Sequence, residues 1–139
     1  MKKPVRNLLR TLAAVLLATV AACGLVVIRY TQMRRKQIIL ASAETREAWL
    51  NLRGWRVGEP SISAAQMPAA FTTQAGQNWL TIQHQQGLAP EAFAGQPFTR
   101  YTYPLTDGTA RFAELWLCGD VLAGAQIYDA ETQIMRPVR

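Results

Sequence analysis

His84 is the only histidine in the 139-residue chain, and Cys23 and Cys118 are its only cysteines. A thiol nucleophile needs a base beside it, and a zinc-type centre needs several imidazole or thiolate ligands. One histidine and two distant cysteines supply neither. His84 stands within Gln83-His84-Gln85-Gln86, a polar stretch expected to face solvent. Cys118 is expected to be a small apolar residue at a strand end, with no cysteine in its own domain to pair with. The acidic residues are scattered. Glu44 and Glu47 lie one turn apart, and Asp107, Asp120 and Asp129 mark turns or strand ends, as solvated turn acids do and acid/base pairs do not. Glycines occur singly, without a phosphate-cradling loop. The expectation is therefore no catalytic residue, no metal ligand and no cofactor. Two weaker candidates remain. Arg100, Tyr101 and Tyr103, with Trp116 on a neighbouring strand, form a candidate aromatic-basic interaction surface, against the plainer reading of cross-strand packing. Cys23 is a candidate lipidation site, because Val20-Ala21-Ala22-Cys23 resembles a lipobox.

The elements that would position these residues follow from periodicity. Ala41 to Arg53 reads as a helix with Ala48, Trp49 and Leu52 on one face. Gly54 suits its left-handed end, and Trp55 is expected to fold back onto it. Arg56 to Met67, interrupted by Gly58 and Pro60, reads as a short strand around Ile62 inside a loop. Pro68 is placed for a helix first turn. From there Phe71, Ala75, Trp79 and Ile82 make an apolar stripe, closed by Gly87 with Leu88 as the cap contact. Ala89 to Pro97 reads as a loop. The last third is β: Phe98 to Leu105 with Tyr101, Tyr103 and Leu105 on one face, Ala110 to Cys118, and Val121 to Asp129. Asp107-Gly108 and Gly119-Asp120 supply the turns. An antiparallel sheet of three to four strands, with both helices over its buried face, makes a small α+β domain over residues 41–139.

Charge and hydropathy separate this domain from what precedes it. Thr11 to Ile28 holds no charge and no proline. At about 1.5 Å per residue such a run nears the ~30 Å hydrocarbon core of a bilayer. Lys2, Lys3, Arg6 and Arg10 flank it on one side; Arg29, Arg34, Arg35 and Lys36 flank it on the other, with Tyr30 as an interfacial anchor. The first 40 residues thus carry eight basic and no acidic side chains, whereas the remainder has seven basic and nine acidic ones. The sequence pI of about 9.9 reflects membrane flanking, not a nucleic-acid footprint. The organisation expected is a basic cytoplasmic tail (1–10), a transmembrane helix or uncleaved signal anchor (11–28), a basic juxtamembrane linker (29–40) and the α+β body. Residues 11–28 make membrane lipid a partner. Gly24 to Ile28 stays apolar after Cys23, which favours a membrane-helix residue there over a lipidated one. The flanking charges tie, so they do not orient the helix.

Arg46-Glu47-Ala48-Trp49-Leu50 followed by Gly54-Trp55-Arg56-Val57 resembles the opening of a bacterial family, domain of unknown function 4830. Further likenesses come in order. Met67-Pro68 with Phe71 resembles the family's Pro-x-x-Phe, and Trp79 to Leu88 its Tyr-Asn-x-Leu-Gln-x-x-Gln-Gly-Phe. Phe93 with Gly95, Arg100-Tyr101-Thr102-Tyr103, and Leu122-Ala123-Gly124-Ala125 against a Val-Ile-Gly-Gly pattern complete it. Leu80 and Ala125 depart from that pattern. The resemblance spans about Thr45 to Tyr128. It implies an extracytoplasmic domain on a membrane anchor, mostly in Gram-positive bacteria, and implies no reaction. The function expected is a non-enzymatic binding module of the cell envelope with a protein or envelope partner. The alternative is a lipoprotein-type envelope enzyme, or enzyme regulator, acting on peptide or glycan.

Overall fold

The computed structural model describes residues 3–35 and 37–139; Lys2 and Lys36, and the side chains of residues 3–6 and 28–35, which include Lys3, Arg6, Arg29, Tyr30, Arg34 and Arg35, lie outside the described residues. The chain forms two compact units, 1–37 and 38–139. The first is one helix, α1 (Lys3–Arg35). Within it Asn7–Val27, with mean hydropathy 2.1, is long and apolar enough to cross a membrane. Its hydroxyls turn back onto the helix: Thr11 Oγ1 donates to the Asn7 carbonyl at 2.6 Å and Thr19 Oγ1 to Val15 at 2.7 Å. A helix with its polar groups satisfied this way suits a hydrocarbon environment. Cys23 is an exposed residue of this helix.

The second unit is α+β, as expected, with α2 (Ala43–Asn51), β1 (Ser61–Gln66), α3 (Gln74–Gln85), β2 (Pro97–Pro104), β3 (Arg111–Cys118), β4 (Val121–Asp129) and β5 (Ile134–Arg136). The strands make one antiparallel sheet in sequence order, β1 to β5. It has five strands where three to four were expected, because β5 is only three residues long and too short to show alternation. Helix α2 starts at a capping box between Ser42 and Thr45, which closes its free N–H groups. Gly54 ends it at φ +88° and Trp55 packs back on the core. Helix α3 begins six residues beyond Pro68. Thr73 is its N-cap, accepting from the Gly76 N–H at 3.0 Å, and Pro68 lies in the preceding loop. A 3₁₀ turn, Pro90–Phe93, occupies that next loop.

Successive strand residues face opposite sides of the sheet, and the interior divides accordingly. Leu50, Tyr103, Leu105, Ala113, Leu115 and Ile127 pack on one face with Trp49 of α2 beside them. Phe98, Cys118 and Ala123 pack on the other with Trp79 and Leu80 of α3. The two helices therefore belong to two separate clusters rather than sharing one buried face. A bulge between Trp116 and Leu117 re-phases β3 against β4.

The stretch expected as a basic juxtamembrane linker, 29–40, divides between the two units. Residues 29–35 continue α1, and 38–40 lie along the outer edge of β4. Leu122 N donates to the Ile38 carbonyl and Leu40 N to the Asp120 carbonyl, both at 2.8 Å. Leu40 is buried in the core. The body thus begins at Ile38.

Candidate binding groove

Ala75, Trp79 and Ile82 of the expected stripe lie along α3, and Phe71 joins them from the loop before the helix; together they line an open groove of about 640 Å³. Trp116, Phe98 and Met135 supply the opposite wall. The rings run in series: Phe71 stacks on Trp79 at 5.8 Å between centroids, Trp79 meets Trp116 at 4.5 Å, and Trp116 stacks on Phe98 at 4.5 Å and 8°. Offset ring contacts add about 0.5–1.5 kcal/mol each beyond the area they bury. Trp79 is held by more than stacking. Its Nε1 donates to Gln126 Oε1 at 2.5 Å, and Gln126 Nε2 donates to Glu114 Oε2 at 2.6 Å. Gly124 makes room for it: a Cβ there would stand 2.8 Å from Trp79 Cζ2. Gln77 fixes the start of α3 by donating to the Phe71 carbonyl.

Below the groove, two glutamines do the work of a strand. The Ala125 N–H and C=O point out of β4 where β5 does not reach. Gln83 Oε1 accepts from Ala125 N at 2.8 Å, and Gln86 Nε2 donates to Ala125 O at 2.8 Å. Gln86 Oε1 then accepts from Val138 N at 2.8 Å. The Gln86 carboxamide stands between two backbone segments as a peptide group would. Gln83 is fully buried, and neither its Nε2 nor Trp116 Nε1 has a hydrogen-bond partner among the described residues. The solvated Gln-rich face expected around His84 thus splits. Gln83 and Gln86 turn inward, while His84 stays exposed and meets Glu91 at 2.5 Å. No local pattern announces the two inward residues, because their partner lies about 40 positions away in the chain.

The four candidate surface residues do not form one patch. Tyr101 and Tyr103 face α2. Tyr103 is fully buried, its hydroxyl accepting from Arg46 Nε at 3.2 Å, while the Arg46 guanidinium lies 4.0 Å over the Tyr101 ring. Burial raises the Tyr103 phenol above its ordinary range, and the Arg46 hydrogen bond opposes that only in part. Arg100 and Trp116 are directly opposed across β2 and β3 on the groove face. Arg100 Nε donates to Ser63 Oγ at 3.2 Å. Tyr101 and Tyr103 thus share one face with Arg46, whereas Arg100 and Trp116 lie on the other.

Other expectations find plain structural roles. Cys118 is buried beside the ring stack, and desolvation raises its thiol pKa. Asp107 accepts from the Thr109 N–H at 3.0 Å and meets Arg111 at 2.5 Å. Asp129 accepts from Glu131 and Thr132 N–H groups. Both acids cap turns. A second concavity, of about 500 Å³, holds Trp55, Arg111, Asp129 and Arg136. No group of three or more His, Cys, Asp or Glu residues suited to a metal ion occurs among the described residues. Comparison with family models, curated proteins and solved structures finds no match.

Proposed function

We propose that the protein is a single-pass, membrane-anchored binding module, with its body outside the cytoplasm and the groove between α3 and the sheet as its working surface. The observation that carries this reading is the ring series. Phe71, Trp79, Trp116, Phe98 and Met135 line an open concavity, and the Trp79–Gln126–Glu114 hydrogen-bond chain holds the Trp79 ring fixed. Concave sites lined by aromatic side chains with a few fixed polar groups are where proteins hold ligands. The span Asn7–Val27 supports the anchor. Basic residues ahead of the apolar run, as in the n-region of a targeting signal, support export of the body. Kinship with domain of unknown function 4830, a non-enzymatic role in the envelope and a protein or envelope partner belong to the same proposal. Cys23 enters it as a membrane-helix residue.

Alkaline phosphatase fused after Arg139 is expected to be active, since it matures only after export; an inactive fusion would remove the envelope reading. For the groove, a photo-cross-linking residue at Asn78, which lines it, is expected to give a discrete adduct in intact cells that disappears with Phe71→Ala. The same probe at Leu52, just past the end of α2 and 85% exposed, should give none. Equal labelling from both positions would reject the groove.

A further inference from the structure

The two outer edges of the sheet are treated differently. Along β4, the outward-facing groups of Leu122, Ala125, Ile127 and Asp129 meet Ile38, the two glutamines and β5 in turn. Strand β1 forms the other edge, and no described residue covers it. Its phase follows from the ladder. Met67 N donates to Gln96 O, its opposite residue in register with Gln66↔Pro97. Hydrogen-bonded and non-bonded positions alternate along an antiparallel pair, so Ser61, Ser63 and Ala65 bond to β2. Ile62, Ala64 and Gln66 then point their N–H and C=O groups outward, and no backbone partner meets them among the described residues.

Every residue of β1 is exposed. Natural proteins blunt such edges with charges, proline, bulges or a covering segment. Ser61-Ile62-Ser63-Ala64-Ala65-Gln66 carries no charge and no proline, and its register with β2 has no shift. Ile62 is 64% exposed on the face toward α2.

We propose that β1 is a homotypic interface: two copies pair antiparallel through β1 about a two-fold axis at Ala64, joining their sheets into one. The absence of charge suits a second copy as occupant. At a two-fold axis any charge on the strand would stand near its own like charge, which is destabilising; β1 is uncharged throughout. Register agrees. With Ala64 opposite Ala64, Ile62 falls opposite Gln66 of the second copy, so Ile62, Ala64 and Gln66 all exchange their free main-chain hydrogen bonds. Faces match as well, since all three share one side of the sheet. The alternative axis at Ser63 would place Pro60, which has no N–H, opposite Gln66. Two-fold pairs of this isologous kind are the commonest oligomers, and confinement to a membrane raises the effective concentration of the two edges.

The test uses the full chain in membranes with Cys23→Ser as background. In a hydrogen-bonded antiparallel pair the Cα atoms of opposed residues lie about 5.5 Å apart, within the ~4.4–6.8 Å range a disulfide spans. Ala64→Cys is expected to give an oxidised dimer of twice the chain mass, whereas Leu52→Cys gives none. Without the cysteine, Ala64→Lys or Ile62→Lys should turn a dimer into a monomer by analytical ultracentrifugation in detergent, with an unchanged circular dichroism spectrum. A monomeric wild-type chain at all concentrations, equal cross-linking from Leu52→Cys, or Ala64→Cys joining only a different protein would each overturn the proposal.

Discussion

The edge along β4 and the edge along β1 carry the same chemical burden, a row of outward N–H and C=O groups, and the chain discharges it in opposite ways. Along β4 it uses its own segments: residues 38–40, two glutamine side chains and a three-residue strand. Along β1 no segment among the described residues does this. Closing an edge with side chains ties remote parts of the sequence together, since Gln86 alone joins α3, β4 and the segment after β5. Stability is therefore expected to concentrate on the β4 side, and association on the β1 side.

The largest effect should come from Gln86→Leu, which leaves the Ala125 carbonyl and Val138 N–H without partners. Each orphaned group costs about 1–3 kcal/mol when buried, read as a lowered denaturation midpoint. A Gln86→Leu protein as stable as wild type would break the contrast between the edges. Gly124→Val comes next. Its side chain would enter the space of the Trp79 ring, and overpacking costs about 1–3 kcal/mol; Trp79 fluorescence should shift as the ring is displaced.

Alkaline pH sharpens the same comparison. Burial raises the pKa of both Cys118 and Tyr103. The folded protein then keeps protons that the unfolded chain loses. Their contribution to stability is complete below the ordinary thiol range, about pH 8.5, and is lost as pH rises through it and toward the tyrosine range near about pH 10. A midpoint that falls above about pH 8.5, and falls less in Cys118→Ala, would show this. Strand β1 has no ionisable side chain, so its edge is not itself titrated. The smallest effect is Ala64→Lys. As an exposed substitution it should move the stability of the isolated subunit by no more than about 0.5 kcal/mol, measured at a dilution where no dimer forms.

The same division explains what was legible in the sequence. Strands β2, β3 and β4 announced themselves because alternation and the Asp107-Gly108 and Gly119-Asp120 turns are local signals. So did Gly54 and Gly87, at φ +88° and +75°. Strand β1 was visible through Ile62, though not that it would stand uncovered. Pro68 misled, since the Thr73 cap decides where α3 begins. The stripe from Phe71 to Ile82 was correctly grouped, yet its role as a groove wall depends on Met135 and Trp116 arriving from elsewhere. Tyr101 and Tyr103 separate from Arg100 and Trp116 because strand neighbours point to opposite faces. Gln83 and Gln86 were illegible as structural residues for the reason that makes them strong: their partners lie across the chain.

Hydrogen exchange resolved by residue, on the full chain in detergent at high and low protein concentration, tests the contrast most directly. The Ala125 amide should be protected equally at both, because Gln83 covers it within one molecule. The Ile62, Ala64 and Gln66 amides should be protected when concentrated and exchange freely on dilution. Fast exchange of those three at every concentration, or protection of Ala125 that vanishes on dilution, would contradict the account.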